Sequence, residues 1–431
     1  MNLLIRHGHV MDPLSGFNQV ADVAVQKGHI LAIGQVPSSF KPDQTFDASA
    51  CMVIPGLVDA CVRLGEPGHE HEGMLESELY AAVAGGVTSV VSPPDTQPVL
   101  DEPGLVEMLQ YRAARLHLSR VFPLGALTRG LAGESLTPMA ELTMAGCVGF
   151  SQAEQGITQT QTLQRAMQYA ATYGYLVWLR PQDVHLGKGV VASGPLATRL
   201  GLSGVPVAAE TIALHTLIDV MRSTGARVHV CKLSSAAGVE LVRQAKAEGL
   251  AITADVSIHH LHFIDNDIGY FDTRARLTPP LRQSADREAL RQGLADGTID
   301  VLVSDHTPVE SDAKYLPFAQ SEPGACAVEL LLSAALKWAE QSGVNPMRAL
   351  QVVTSSPAAL LGKSGEGLGQ LNVGSPADIC IYKPNEQWQV LAQSLHSRSK
   401  HTPFAFDMSG SLMPGQVQAT FVGGRLAYQR D

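Results

Sequence analysis

Residues 53–68 read "VIPGLVDACVRLGEPG". An apolar run ends here in a Gly/Pro loop, which is the pattern of a buried strand opening at its C-terminal end. Asp59, Cys61 and Arg63 alternate along it and so share one face. A thiol and a guanidinium side by side at a strand end is a usual setting for catalytic side chains, and the rest of the chain shows what surrounds them.

Seven further runs of the same kind follow: "VTSVVSPPD", "RVFPLGAL", "GCVGFSQ", "YLVWLRPQD", "ARVHVCKLSS", "LAITADVSI" and "IDVLVSDH". Helical-period segments stand between them, such as "MLESELYAAVAGG", "TLQRAMQYAATYG", "AAGVELVRQAKAEG" and "DREALRQGLADG". Several end in Gly, as helix C-termini prefer. Near-continuous apolar strands alternating with helices predict a parallel sheet covered on both faces. About eight such units fit a (β/α)8 TIM barrel; an open doubly wound sheet is the alternative.

The ends of the chain read differently. "NLLIRHGHVMDP" and "ADVAVQKGHILAIG" near the start, and "PADICIYKP", "QWQVLA" and "QATFVGGRLAYQ" near the end, are strands punctuated by turns, Gly-His and Lys-Gly among them. Chain termini often lie close together, so both ends are expected to build one small β-sandwich. The predicted organisation is an α/β chain: 1–54 the first part of the sandwich, 55–364 the barrel, 365–431 the second part.

The chain has 431 residues and a net charge of −10. That balance argues against nucleic acid or an anionic membrane as the partner. Six cysteines, none in a CxxC pair and most in apolar runs, predict buried free thiols in a reducing compartment. The N-terminus is broken by His and Asp too early for a signal peptide, and no apolar run reaches the roughly 20 residues of a membrane span. A soluble cytoplasmic protein is expected.

In a barrel the chemistry sits at the strand C-termini. Strand one offers Cys61 and Arg63, strand two Asp95, and strand four Gln152 with Glu154 and Gln155 beyond it. Strand five offers Arg180 and Asp183, strand six Lys232 with Ser234 and Ser235, strand seven His259 and His260, and strand eight Asp305 and His306. A hydrolytic metal centre needs converging His or carboxylate ligands. Arg63, Arg180 and Lys232 are cations that cannot ligate a metal and would repel one. Cys61, Asp305 and one His could still form a mononuclear zinc site. Three cations could also converge on a small anion. Ser234 or Ser235 reads as a helix N-cap. Adjacent residues of a strand face opposite ways, so at most one of His259 and His260 points into the mouth, and a hydrogen-bonded structural role is expected for the pair.

The stretches "PGLVDACVRLGEPG", "AAVAGGVTSVVSPPDTQPV", "GVELVRQAKAEGLAITADVSIHHL", "LTPPLR", "VSDHTP", "TSSPAALLG", "GLGQLNVGSPADICIYKP" and "SRSKHTPF" resemble the dihydroorotases of the amidohydrolase superfamily. The class joined to aspartate carbamoyltransferase in many bacteria is the most similar. The resemblance runs over essentially the whole chain and implies a barrel with a β-sandwich made from both ends. It also implies a zinc centre whose ligands this chain has replaced. Cys61 and Arg63 stand where the family has an HxH pair, Arg180 and Lys232 stand where it has single histidines, and Gln152 and Ala153 fall where it has a bridging carboxylate. The substrate-positioning residues correspond to Gly65, Asp95 and Thr278, each changed; Asp305 persists as relic ligand and base, with His306 beside it.

Loss of the ligands removes metal-bound hydroxide, the family's nucleophile. The resemblance therefore implies an inactive homologue with no metal and no cofactor. It would serve as a non-catalytic scaffold for the catalytic chain of aspartate carbamoyltransferase in pyrimidine biosynthesis, and form a homo-oligomer when isolated. The mononuclear zinc hydrolase and the small-anion-binding regulatory module remain as alternatives. Without metal, Asp59 and Asp305 would be uncompensated acids at the mouth. Arg63, Lys232 and Arg180 either replace the metal's charge there or extend to solvent.

Overall fold

The computed structural model describes residues 2–405 and 410–430. All eight apolar runs become strands of one barrel. They are Leu57–Asp59, Val87–Ser92, Arg120–Pro123 continued by Gly125–Ala126, Phe150–Ser151, Leu176–Leu179, Arg227–Val230, Ile252–Ser257 and Val301–Val303. Neighbours pair in parallel in chain order. The third strand is split at Leu124, so its first half pairs with the second strand and its last two residues with the fourth. The ring closes between strands one and eight, where His306 N donates to Cys61 O (3.2 Å) and Arg63 N donates to His306 O (2.9 Å). The opening stretch is therefore the seam of the barrel.

Every residue of Val87–Ser92 is buried, as expected of a strand covered on both faces. Helices such as Leu75–Ala84, Pro103–Leu116, Thr160–Tyr173, Val207–Thr224, Ala236–Ala247, Ser284–Asp296 and Leu331–Ser342 cover the outside. The helix Ala236–Ala247 starts because Ser235 accepts from Gly238 N (3.0 Å), satisfying one of its orphan donors.

Both chain ends build one eight-stranded sheet. Asn2–Asp12 lies antiparallel to Phe17–Gln26, and on its other side it pairs in turn with Gln44–Asp47 and Met52–Pro55. Met52–Pro55 then pairs with Ile379–Gln389, which joins the two halves. The hydrogen-bonded network is thus a single sheet branched at its first strand. It encloses its own core, including Ile5, Val23, Val53, Ile379 and Phe421. Gly8-His9 is not a turn: the register shifts between Ile5 and Gly8, so the strand bulges there and continues. Gly8 packs so closely on Val53 that a β-carbon would collide with it. Lys27–Gly28 does form the turn between its two strands.

His259 and His260 do not end a strand. The seventh strand stops at Ser257, and both histidines lie on the short helix Ile258–His262. Both are buried; His260 contacts the Pro280 carbonyl (3.3 Å), whereas the His259 ring nitrogens have no hydrogen-bond partner and the ring packs by Phe404. Burial lowers the pKa of both, to about 4 for His260, so these rings are neutral. A hydrogen-bonded role holds for one of the pair.

His306, expected beside Asp305 as a catalytic relic, turns away from the mouth and is fully buried. Its Nδ1 accepts from Ala327 N (2.9 Å), which leaves Nε2 to donate to Glu78 Oε2 (2.8 Å). Glu78 also accepts from Arg398 N (3.0 Å). It thereby staples the "SRSKHTPF" segment to the barrel. Burial alone would raise the Glu78 carboxyl; its contacts with His306, Ser397 and Arg398 together outweigh burial and hold the group below its usual range. Glu78→Ala strands the buried His306 donor and the part-buried Arg398 N and Ser77 Oγ, all bonded to a charged acceptor. It is expected to destabilise the fold by about 3 kcal/mol or more, measured by urea unfolding.

Candidate functional site

The strand ends line a cavity of about 310 Å³, walled by Arg63, Gly65, Asp95, Glu154, Lys232, Thr278 and Asp305 among others. Its centre is the Glu154 carboxylate. Lys232 Nζ donates to Glu154 Oε1 (2.6 Å), and Arg63 Nη2 donates to the same oxygen (3.1 Å). Arg180 Nε pairs with Glu154 Oε2, and Arg180 Nη2 donates to the Glu154 carbonyl (3.1 Å). One carboxylate thus holds cations from strands one, five and six.

Each cation is used further. Lys232 Nζ also donates to Asp305 Oδ1 (3.1 Å) and to the Thr278 carbonyl (2.8 Å), so its three protons are all engaged. Arg63 donates to Asp95 Oδ2 through Nε (3.0 Å) and Nη2 (2.8 Å), and through Nη1 to Thr307 Oγ1 (3.0 Å). Arg180 Nη1 donates to Gln182 Oε1. Three carboxylates, Asp95, Glu154 and Asp305, meet three cations, and the cluster is neutral overall. None of the cations extends to solvent: their side chains are 18 % (Arg63), 6 % (Arg180) and 4 % (Lys232) exposed.

The charges set one another's state. Burial alone would raise the Glu154 carboxyl, but Lys232, Arg180 and Arg63 hold it well below its usual range. Burial would lower the Lys232 ammonium, but Asp305 and Glu154 keep it above its usual value. Asp305 is pushed up to about 6, mainly by burial and further by Glu154, while Lys232 opposes the shift. Cys61 Sγ lies 3.8 Å from Asp305 Oδ1, and burial together with Asp305 drives its pKa well up, so it is a thiol.

The other predicted positions divide. Gln152 bonds Thr128 Oγ1 (3.0 Å) and the Leu131 carbonyl (2.8 Å), holding a neighbouring loop and staying out of the charge cluster. Ala153 supplies only backbone, in a left-handed turn with φ 50°. Lys232 and Asp305 share that rare conformation, both at φ 55°. Each such residue costs about 1–3 kcal/mol and persists where the surroundings hold it; Asp255 Oδ1 accepts from Lys232 N at 2.7 Å. Gly65 has φ +74°, and a β-carbon there would strike the backbone of Gly73. No larger side chain fits that position without moving the loop.

Asp59 is not paired with the cations, contrary to expectation. It lies buried in the barrel interior, where Oδ1 accepts from Cys61 N (3.3 Å) and Ser304 N (3.1 Å) and Oδ2 has no partner. Burial raises it to about 7.

Two family patterns match this chain: dihydro-orotase-like over residues 50–237 and amidohydrolase family over residues 205–428. A dihydroorotase-like protein of Pseudomonas aeruginosa is 40% identical over 431 residues, covering 100% of both chains. A dihydroorotase of Syntrophotalea carbinolica is 36% identical over 430 residues, covering 100% of this chain and 99% of that one.

The chain is a dihydroorotase-like member of the amidohydrolase superfamily.

Among solved structures, the L-hydantoinase of Arthrobacter aurescens superposes with a TM-score of 0.87 at 23% identity, covering 98% of this chain and 95% of that one. The dihydropyrimidinase of Brevibacillus agri reaches 0.84 at 19% identity, covering 99% and 95%. These likenesses establish the shared barrel architecture. Among the described residues no helix is long and apolar enough to cross a membrane.

The zinc centre that the superfamily implies does not fit this dihydroorotase-like chain. At the positions that the resemblance assigns to ligands stand a thiol, three cations, the uncharged Gln152 and Ala153 and one carboxylate, and the Lys232 ammonium already lies against Asp305. A divalent ion there would meet Lys232, Arg63 and Arg180 at short range, in a setting where repulsion is poorly screened. In the sequence Glu154 stands out only as a strand-end residue, with nothing to mark it as the hub. The signal available was a lone acid one residue past the position of the family's bridging carboxylate.

Two predictions follow from these charges. Lys232→Met leaves Asp305 and Glu154 buried with less compensation and is expected to cost roughly 3–5 kcal/mol, read as a lower urea midpoint. Asp59 has a folded pKa of about 7 against an ordinary 3.8, so its contribution is full below about pH 4 and is lost as pH rises through 7. Asp59→Asn should therefore gain stability relative to the unsubstituted protein between pH 4 and pH 8, in unfolding curves taken across that range.

Proposed function

We propose that this chain is a catalytically inactive dihydroorotase homologue that acts as the non-catalytic scaffold subunit of an aspartate carbamoyltransferase complex in pyrimidine biosynthesis. The observation that carries the inactive reading is the neutral cluster around Glu154. Ring opening of a cyclic amide by this superfamily needs a metal-activated hydroxide and a cation to seat the substrate carboxylate. Here the cations that replace the ligands are spent on Asp95, Glu154 and Asp305. Asp305, which serves in the family as ligand and base, is tied to Lys232. Gly65 stands where a substrate-binding Arg belongs, in a backbone conformation with no room for one.

The same observation weighs against the two alternatives. A mononuclear zinc site on Cys61 and Asp305 would have to displace the Lys232 ammonium. A small anion would have to compete with three internal carboxylates for the cations. The scaffold role and the partner rest on the resemblance: the motifs that shape the barrel and the terminal sheet are kept while the reacting groups are replaced. The cytoplasmic setting suits six free cysteines. The isolated chain is proposed to self-associate.

Co-expression with the aspartate carbamoyltransferase catalytic chain of the same organism tests this reading. The expected result is one co-eluting complex, a catalytic chain that is less active or less stable without this protein, and no dihydroorotate ring opening by this protein with added zinc. Zinc-dependent turnover, or separate elution with unchanged transferase activity, would overturn it.

A further inference from the structure

The loop after strand one carries "HEHEG", His69 to Gly73, at the rim of the cavity. His69, His71 and Glu72 each turn a donor atom to one point, all within 4.8 Å of one another. His69 Nδ1 is 3.7 Å from Glu72 Oε1, and His71 Nε2 is 3.6 Å from the same oxygen. These separations are too long for hydrogen bonds. They are close to the spacing of two donors on one ion, because a tetrahedral zinc with bonds near 2.0–2.1 Å sets its ligands roughly 3.3 Å apart.

The charge surroundings point the same way. The Glu72 side chain is 17 % exposed, and among the described residues its ion-pair neighbours are these two imidazoles. The carboxylates of Glu322, which also lines the cavity, and Glu310 add negative charge near it. This rim is an acidic patch with neutralisable donors and is the reverse of the strand-end cluster, where every acid already has a cation. The loop is held at both ends: His69 N and Gly73 N donate to the Gly65 and His69 carbonyls (2.7 and 3.2 Å), and Glu66 Oε1 accepts from Leu75 N (2.9 Å).

The other group of potential ligands among the described residues, His229, Cys231 and Asp255, is in a different state. His229 bonds Thr253 Oγ1 (2.8 Å) and Asp255 Oδ2 (2.9 Å), and Asp255 Oδ1 accepts from Lys232 N. That group is a satisfied hydrogen-bond network within the barrel.

We infer that His69, His71 and Glu72 form a binding site for one borderline divalent cation of the zinc type, at the rim of the cavity and separate from the family's strand-end centre. The two imidazoles favour zinc, nickel or copper over magnesium or calcium. Three protein ligands leave a fourth position for water or for a nearby acid such as Glu322.

Untagged protein, freed of metal by chelator and dialysis, is titrated with zinc chloride in a calorimeter, and with Co2+ while the visible bands of tetrahedral cobalt are recorded. One ion per chain is expected, with a magnesium titration silent. His71→Ala and Glu72→Gln, both on the surface loop and checked for an unchanged melting temperature, should each weaken zinc by roughly tenfold or more. Cys61→Ser and Cys231→Ser should bind as the unsubstituted protein does. No zinc heat, binding unchanged in His71→Ala and Glu72→Gln, or binding abolished by either cysteine substitution would each overturn the assignment.

Discussion

The mouth of this barrel depends on one carboxylate. Glu154 draws Arg63, Arg180 and Lys232 from three separate strands, and Lys232 carries the connection on to Asp305 of a fourth. Charges taken out of water are costly unless each has a partner. A superfamily barrel collects acids and polar ligands at its strand ends because divalent ions neutralise them. Here side-chain cations provide that neutralisation, and the strand-end geometry is kept. The left-handed turns at Ala153, Lys232 and Asp305 place Glu154, the ammonium and its acid against one another. An arrangement so internally balanced ties the strand ends to one another.

The buried acids of this chain follow different rules according to depth. Asp305 lies against an ammonium and is lifted to about 6, whereas Asp59, hydrogen-bonded to Ser304 and Cys61 with no ammonium or guanidinium beside it, is lifted to about 7. Glu78 is buried too, but His306, Ser397 and Arg398 together hold it down. The expectation that the mouth cations would serve Asp59 as well as Asp305 failed on this point: Asp59 lies below the layer the long side chains reach. His306 likewise follows Asp305 in sequence but points into the helix layer, where it ties the C-terminal segment to the barrel through Glu78. The relic pair is thereby divided between the cavity and the scaffold.

Much of the fold was legible. Apolar runs of strand length, each followed by a segment of helical period, yield a parallel barrel, because a strand covered on both faces leaves no polar alternation. The strand-end cations were legible as well, since Arg63, Arg180 and Lys232 each close an apolar run. Glu154 was less so. Its partners are 91, 26 and 78 residues away in the chain, and no local pattern marks a lone acid in "FSQAEQG" as the one that three cations will meet. The histidine pair was misjudged because a strand and a one-turn helix after it share the same apolar composition, and only the packing of Phe404 and its neighbours shows where the backbone turns.

The amino-acid sequence by itself determined the barrel, the union of both chain ends and the placing of cations at the strand ends. These follow from periodicity and residue chemistry, which are local properties. Tertiary structure alone decided which charges meet, that Gly65 has no space for a side chain, that His306 faces inward, and that the acids and imidazoles of "HEHEG" share one point at the rim. The physical reason is that pairing energies depend on distances of a few ångströms between groups far apart in the chain, and those distances exist only after the strands have closed into a ring.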